Sequence, residues 1–396
     1  MQLTDRSRAL GIPPFWRLGF RPFFFFGCLL AAIAVPLWLL ALNGVIGSWQ
    51  PTGGWLAWHR HELLFGFAGA IVAGFLLTAV QTWTGTPGLS GRLLLGLTVL
   101  WLLARLSWFV PLPTPLFVLL NAVFFPLVAA QMARSVWPVR QVRNYPLVLI
   151  LLVLALLELL VLIGVATGNE SLQRQAVIGG LWAVGAVMSL IGGRVIPFFT
   201  QRGLLRQHGV KAWPWLEHAL LYGTLLLVLA FATGFAMRQG IVMAILFALL
   251  AVGHLIRLLR WYDHGVWRVP LLWSLHVAYL WFVLAYAAMV LWNLSLLSNL
   301  SIAVHVLTVG AMSGLILAMI ARVTLGHTGR MLSPPRAMIA GFVLFNLGAL
   351  SRVFLVEFNY QAGLGVASLF WSLSFAIYLV CYGPMLWRAR VDGAPG

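Results

Sequence analysis

The chain has 396 residues, of which 62% are hydrophobic and only 8% charged, against about 25% charged in an ordinary soluble domain. With a mean hydropathy of +0.98 there is too little polar residue to clothe a soluble fold, which excludes a soluble enzyme, a nucleic-acid binder and a disordered scaffold. The net charge of +17 would suggest nucleic acid in a soluble protein; here the cations fall between apolar runs and read as topology signals, so no nucleic-acid partner is expected.

Twelve apolar runs approach or exceed the about 20 residues that a span requires. In chain order they are 20–43, 56–81, 92–111, 114–133, 145–168, 173–197, 214–236, 240–260, 270–294, 299–324, 337–356 and 363–387. Alternating β patterns are absent, so the fold class is all-α: a polytopic membrane protein of twelve transmembrane helices, one integral domain over 1–396. The first run is too long for a cleavable signal and no small-residue site closes it. Cys28 and Cys381 lie in apolar runs near opposite ends of the chain and offer no disulfide framework. The stretch Arg194-Val-Ile-Pro197 reads as the stop of the sixth span.

Orientation follows from the cations. With a cytoplasmic N-terminus, twenty of the 25 Lys and Arg lie on that side, Arg6 and Arg8 among them. Arg60, Arg174 and Arg238 lie on the other side, and Arg105 and Arg352 fall within spans. That bias predicts both termini inside. Trp16, Trp49, Trp55, Trp58, Trp83, Trp137, Trp213, Trp261, Trp267 and Trp387 fall near span ends, where an aromatic belt would place them. No linker is long enough for a soluble domain, so the chemistry must lie in or at the membrane.

A faint repeat relates the second and tenth spans. One carries His61 and Gly66, the other His305 and Gly310, each pair at His-x4-Gly spacing. Gly193-Arg194-Val195 in the sixth span parallels Ala321-Arg322-Val323 in the tenth. The period of four is compatible with a three-fold arrangement of four-helix units.

Ionisable groups inside a membrane are costly and point to function. His59 and His61 open the second span, and His305 lies about 9 Å inside the tenth from the same side. His254 and His276 lie about 9 Å from the opposite boundary, on the neighbouring eighth and ninth spans. Five histidines at two depths favour metal or haem ligation, imidazole being the usual donor to haem iron and copper. The bland alternative is a set of neutral inter-helix hydrogen bonds. His59 and His61 stand two residues apart, so both reach one centre only if the helix starts between them. Glu62 could orient a ligand histidine from behind, and Glu158, mid-span, could relay protons or pair with a group such as Arg105. His327, in the basic stretch Arg322–Arg330, could hold an anionic group such as haem propionates together with Arg330, Arg194, Arg257 and Arg268; it equally suits a positive loop with a glycine cap. His208, His218 and His264 read as solvated loop histidines.

The ordered set Leu18-Gly-Phe-Arg21-Pro22, Trp58-His59-Arg60-His61-Glu62, Gly253-His254-Leu-Ile-Arg257, Trp273-Ser-Leu-His276-Val-Ala-Tyr279 and His305-Val-Leu-Thr308-Val-Gly310, continuing to His327-Thr-Gly-Arg330, resembles the NnrS family over nearly the whole chain. One departure is Leu63, where the family often has Met. The resemblance implies a bacterial inner-membrane protein that contains haem b and copper and acts in nitric oxide metabolism, with nitric oxide as the small ligand. An electron donor is then required and is not identified. By analogy of architecture, haem-copper oxidase subunits also have twelve helices and bind haem from the second and tenth, which here carry His61 and His305. The analogy fails at copper, because the sixth span has no histidine. The expected centres are an outer one of His59, His61 and His305, where haem is placed, and an inner one of His254 and His276. Glu62 and Glu158 would handle protons. A non-catalytic nitric oxide binder and a secondary transporter stay open as alternatives.

Overall fold

The computed structural model describes residues 9–395; Arg6 and Arg8 of the cation count lie outside them. Among the described residues there are twelve long helices and no strand, so the chain is an all-α, multi-pass membrane protein. The helices are α1 (Phe20–Leu42), α2 (Trp55–Thr84), α3 (Gly91–Ser107), α4 (Thr114–Val136), α5 (Tyr145–Thr167), α6 (Glu170–Gly203), α7 (Pro214–Ala232), α8 (Ile241–Trp261), α9 (Pro270–Asn293), α10 (Leu300–His327), α11 (Arg336–Phe358) and α12 (Tyr360–Trp387). Eleven are long and apolar enough to cross a membrane. The exception is α3, whose 17 residues reach about 26 Å. It ends before 111 because Pro111 and Pro113 push the residues that precede them out of the helical region.

The sixth span is longer than expected. Pro197 does not stop α6, which continues to Gly203. A proline removes one intrahelical hydrogen bond, and a helix packed on its neighbours tolerates that loss. Elsewhere the ends are conventional. Gly85, at φ +69°, closes α2 in the left-handed conformation, and Asn299 caps α10 by accepting from the Ser301 amide at 2.8 Å.

Three helices contain π-turns: Glu62–Ala68 in α2, Val306–Ser313 in α10 and Ser351–Leu355 in α11. Such widened turns are rare and concentrate at functional sites. The first two begin at the residue after His61 and after His305. The His-x4-Gly repeat is therefore a repeat of backbone conformation as well as of sequence. α6 has no such turn. In α2 and α6 83% of the most apolar stretch is buried, and in α10 67%, a figure that α9 shares. The period of four is thus followed only in part.

The helices group into two compact units that alternate along the chain. The first comprises residues up to Val177, Val323–Leu332 and those from Phe375 onward; the second comprises Ile178–Arg322 and Ser333–Ser374. The tryptophans divide as well. Trp49, Trp137, Trp213, Trp267 and Trp387 are exposed as a belt requires, whereas Trp55, Trp58 and Trp261 are buried and pack inside their units. Cys28 is buried, and both cysteines are free.

Close packing in the second unit makes one position sensitive. A Cβ added to Gly310 of α10 would lie 2.6–2.8 Å from three atoms of the Trp281 indole, and that indole donates to Asn346 Oδ1 at 3.0 Å. Gly310→Ala is expected to cost about 1–3 kcal/mol by overpacking. Gly96→Ala in α3, which meets nothing within 4 Å, should leave stability unchanged or slightly raised. Thermal unfolding of the two variants in detergent checks the contrast.

Candidate functional site

In the first unit α2, α3, α4 and α5 bring a buried polar network together. His61 is fully buried. Its Nδ1 bonds Glu62 Oε1 at 2.9 Å, and its Nε2 lies 3.3 Å from Glu158 Oε1. Glu62 Oε2 forms an ion pair with Arg105 Nε at 2.8 Å, in which the N–H misses the hydrogen-bond direction and the attraction is coulombic. Arg105 Nη2 donates to Asn121 Oδ1 at 3.0 Å, and Asn121 donates in turn to Ser107 Oγ and to the Phe117 carbonyl. Glu158 therefore faces His61, not the Arg105 offered as its partner, which belongs to Glu62. The widened turn that starts at Glu62 sets this carboxylate against both His61 and Arg105.

α2 starts at Trp55, well before His59. The condition for His59 and His61 to reach one centre is not met, since two residues along a helix turn the side chain to another face. The His59 ring stacks on Trp38 of α1 at 4.8 Å, whereas His61 packs on Trp108.

In the second unit α8 and α9 carry His254 and His276. His254 is fully buried, its Nδ1 shares a hydrogen bond of 2.7 Å with the Tyr279 hydroxyl, and its ring stacks on Tyr286 at 4.8 Å. Tyr286 shares a bond of 2.9 Å with Thr224. His276, one turn before Tyr279, donates from Nδ1 to the Leu272 carbonyl at 2.9 Å. The His254 Nε2 has no hydrogen-bond partner, and the His276 ring also meets the Trp261 backbone. A buried imidazole nitrogen left this way costs about 1–3 kcal/mol.

His305, also in the second unit, behaves differently. Its Nδ1 meets the Ser301 carbonyl at 2.6 Å, and Arg352, from the π-turn of α11, brings Nη2 to 3.1 Å of both ring nitrogens. His59 and His61 thus belong to one unit and His305 to the other. Among the described residues no group of three or more His, Cys, Asp or Glu side chains is arranged to hold a metal ion.

The expected anion-binding residues are similarly divided. Arg257 is buried in the second unit, donates to Ser189 Oγ and the Ser189 carbonyl, and pairs with Glu217 Oε2 at 3.0 Å. Its charge is already matched, and Gly193 of α6 leaves the room it occupies. Arg194 lies half-buried on the same helix. His327 and Arg330 lie in the first unit; the His327 ring packs near Phe20 at 5.5 Å, and Arg330 donates to the Thr328 carbonyl. His208, His218 and His264 are exposed, as solvated histidines should be.

One pattern joins His61, His254 and His276. Each has Nδ1 anchored, by Glu62, Tyr279 or the Leu272 carbonyl; the buried Nε2 has no partner in His254, whereas that of His61 faces Glu158 at 3.3 Å and the His276 ring also meets the Trp261 backbone. A metal-ligating histidine has this arrangement, because the anchor fixes the ring and its tautomer. Asn121 escaped the sequence analysis, and Tyr279 entered it only as part of a motif, with no role. A role could have been found, since Tyr279 stands three residues after His276 on the same helical face.

A family model described as NnrS protein matches residues 14–390. No curated protein matches the chain.

Proposed function

The chain belongs to the NnrS family, which gives it a role in nitric oxide metabolism, and on that premise we propose a haem- and copper-dependent protein of the bacterial inner membrane that binds and reduces nitric oxide. The observation that supports the reading is the trio of buried imidazoles with anchored Nδ1, of which His254 leaves Nε2 without a partner and His61 turns Nε2 to the Glu158 carboxyl. Those nitrogens are the donors that haem b and copper take. We assign His61 to haem and His254 with His276 to copper. When bound, the two groups would pass electrons from a donor to nitric oxide, whose small neutral form crosses lipid freely.

The chain's own part is positioning and proton handling. Glu62 holds the His61 ring through Nδ1, and Arg105 holds Glu62. Glu158, 3.3 Å from His61 Nε2, is the mid-span carboxyl that can carry a proton towards the same place. Tyr279 and the Leu272 carbonyl hold the other two rings. His305 has no ligand role in this reading, because Arg352 meets both of its nitrogens. The excess of cations on one side supports a cytoplasmic location for both termini, and an electron donor of unassigned kind completes the reaction.

An anaerobic nitric oxide electrode tests this. Purified protein with a low-potential reductant is expected to consume nitric oxide continuously, with nitrous oxide appearing as one molecule per two consumed. Uptake that stops after a stoichiometric amount would instead make the protein a binder. The absence of any uptake by protein from haem-replete cells would contradict the proposal.

A further inference from the structure

In the first unit the start of α1, the last turn of α10 and the end of α12 meet at one membrane boundary. Arg21 is fully buried there. Its Nη1 donates to the carbonyls of Leu386 and Arg388, both at 2.7 Å, and so caps the C-terminal end of α12. Among the described residues its Nε and Nη2 have no hydrogen-bond partner, and no carboxylate lies within ion-pair distance. The charges nearest in effect are also positive: Arg17, Arg390 and Arg330. Arg17 binds the carbonyls of Leu10, Ile12 and Pro395. Arg390 donates to the His327 carbonyl and pairs with Asp392, an exposed carboxylate held well below the usual range by that guanidinium. Among the described residues four guanidiniums thus share one carboxylate, which is already taken. A buried cation among cations is costly unless an anion pairs with it.

The surroundings indicate which anion. Phe15 stacks on Trp387 at 3.7 Å, and Phe25 and Phe26 meet Phe15 edge-on. Trp387 is half-exposed, at 49%. An aromatic cluster of this kind marks the headgroup level of a bilayer, and basic pockets between helices at that level recognise acidic lipid headgroups. We propose that Arg21, Arg17 and Arg330 form a binding site for the phosphate group of an anionic phospholipid. The planar guanidinium fork of Arg21 matches phosphate oxygens through its two unpartnered donors. The site sits where α1, α10 and α12 converge and ties their ends together.

The test uses detergent-purified, delipidated full-length protein. Phosphatidylglycerol, phosphatidylcholine and inorganic phosphate are titrated separately, with native mass spectrometry for bound lipid and the unfolding midpoint as readouts. Phosphatidylglycerol is expected to be retained and to raise the midpoint, and phosphatidylcholine to do neither. Arg330→Gln, whose side chain gives up only a bond to Thr328, should weaken phosphatidylglycerol binding about fivefold, the worth of one basic residue at an acidic membrane surface. Arg21→Gln should abolish it; if that variant does not fold, Arg330→Gln decides the question. Equal protection by inorganic phosphate at matched concentration would keep the phosphate site and overturn the lipid as its source. Equal retention of the two lipids, or unchanged binding in Arg330→Gln, would overturn the site.

Discussion

Replacement of Glu62 by Leu is expected to destabilise the protein by about 3–5 kcal/mol, the cost of breaking a buried ion pair from one side. Glu62 is the carboxylate within 2.8 Å of Arg105 Nε, in a network shielded from water. Its loss leaves Arg105 with the neutral oxygen of Asn121 as its hydrogen-bond partner and the Trp101 ring beside it. The double variant Glu62→Leu/Arg105→Met removes both charges and should recover most of that loss, because a buried pair replaced by apolar residues is often nearly neutral. Unfolding in mixed micelles measures both. A double variant as unstable as the single one would mean that the ion pair is not what Glu62 contributes, and would move the emphasis to its bond with His61. Glu62→Gln is the milder control, since an amide can still bond His61 Nδ1.

The second large effect concerns the three imidazoles. His61→Ala is expected to lose the haem absorption while it keeps copper. His254→Ala and His276→Ala are expected to lose copper while they keep haem. Tyr279→Phe deletes only the hydroxyl that anchors His254; the loss of such an outer partner typically weakens metal binding about 10–100-fold, so copper should be retained but removed by a weaker chelator. His305→Ala should change neither spectrum nor metal content, because Arg352 and Ser301 already engage that ring. Iron and copper analysis beside the optical spectra reads all five proteins. Loss of haem in His305→Ala with retention in His61→Ala would reverse the assignment.

The spans were legible because membrane insertion rests on length and hydropathy, which the sequence states directly. Eleven of the twelve expected runs are spanning helices with ends shifted by a few residues, and the twelfth is the short α3. The rotation of each helix was not legible. Apart from Glu158, α5 is apolar on every face, so nothing in its pattern says which face Glu158 occupies. Glu158 could therefore be offered to Arg105, although it faces His61. Backbone form was hidden for a similar reason: the π-turns after His61 and His305 follow no propensity rule, and only the shared His-x4-Gly spacing hinted that the two helices do the same thing. Arg21 was counted as a topology signal. Its position, one residue inside an apolar span and next to Pro22, was the clue that it is buried and paired with backbone. The depth argument for the histidines located candidates but could not separate ligand-ready rings from satisfied ones. That distinction lies in the hydrogen-bond partners of Nδ1, which come from Glu62 next door, from Tyr279 on another helix and from a carbonyl one turn back.

The central claim is that the Nε2 atoms of His61, His254 and His276 hold metal. Its most direct test is the absorption spectrum of the detergent-purified wild-type protein from haem- and copper-replete cells, oxidised and dithionite-reduced, with iron and copper measured on the same sample. The account predicts a b-type haem spectrum that shifts when nitric oxide is added, and copper bound in stoichiometric amount. A colourless protein with neither metal would contradict it and leave the three buried nitrogens as packing groups.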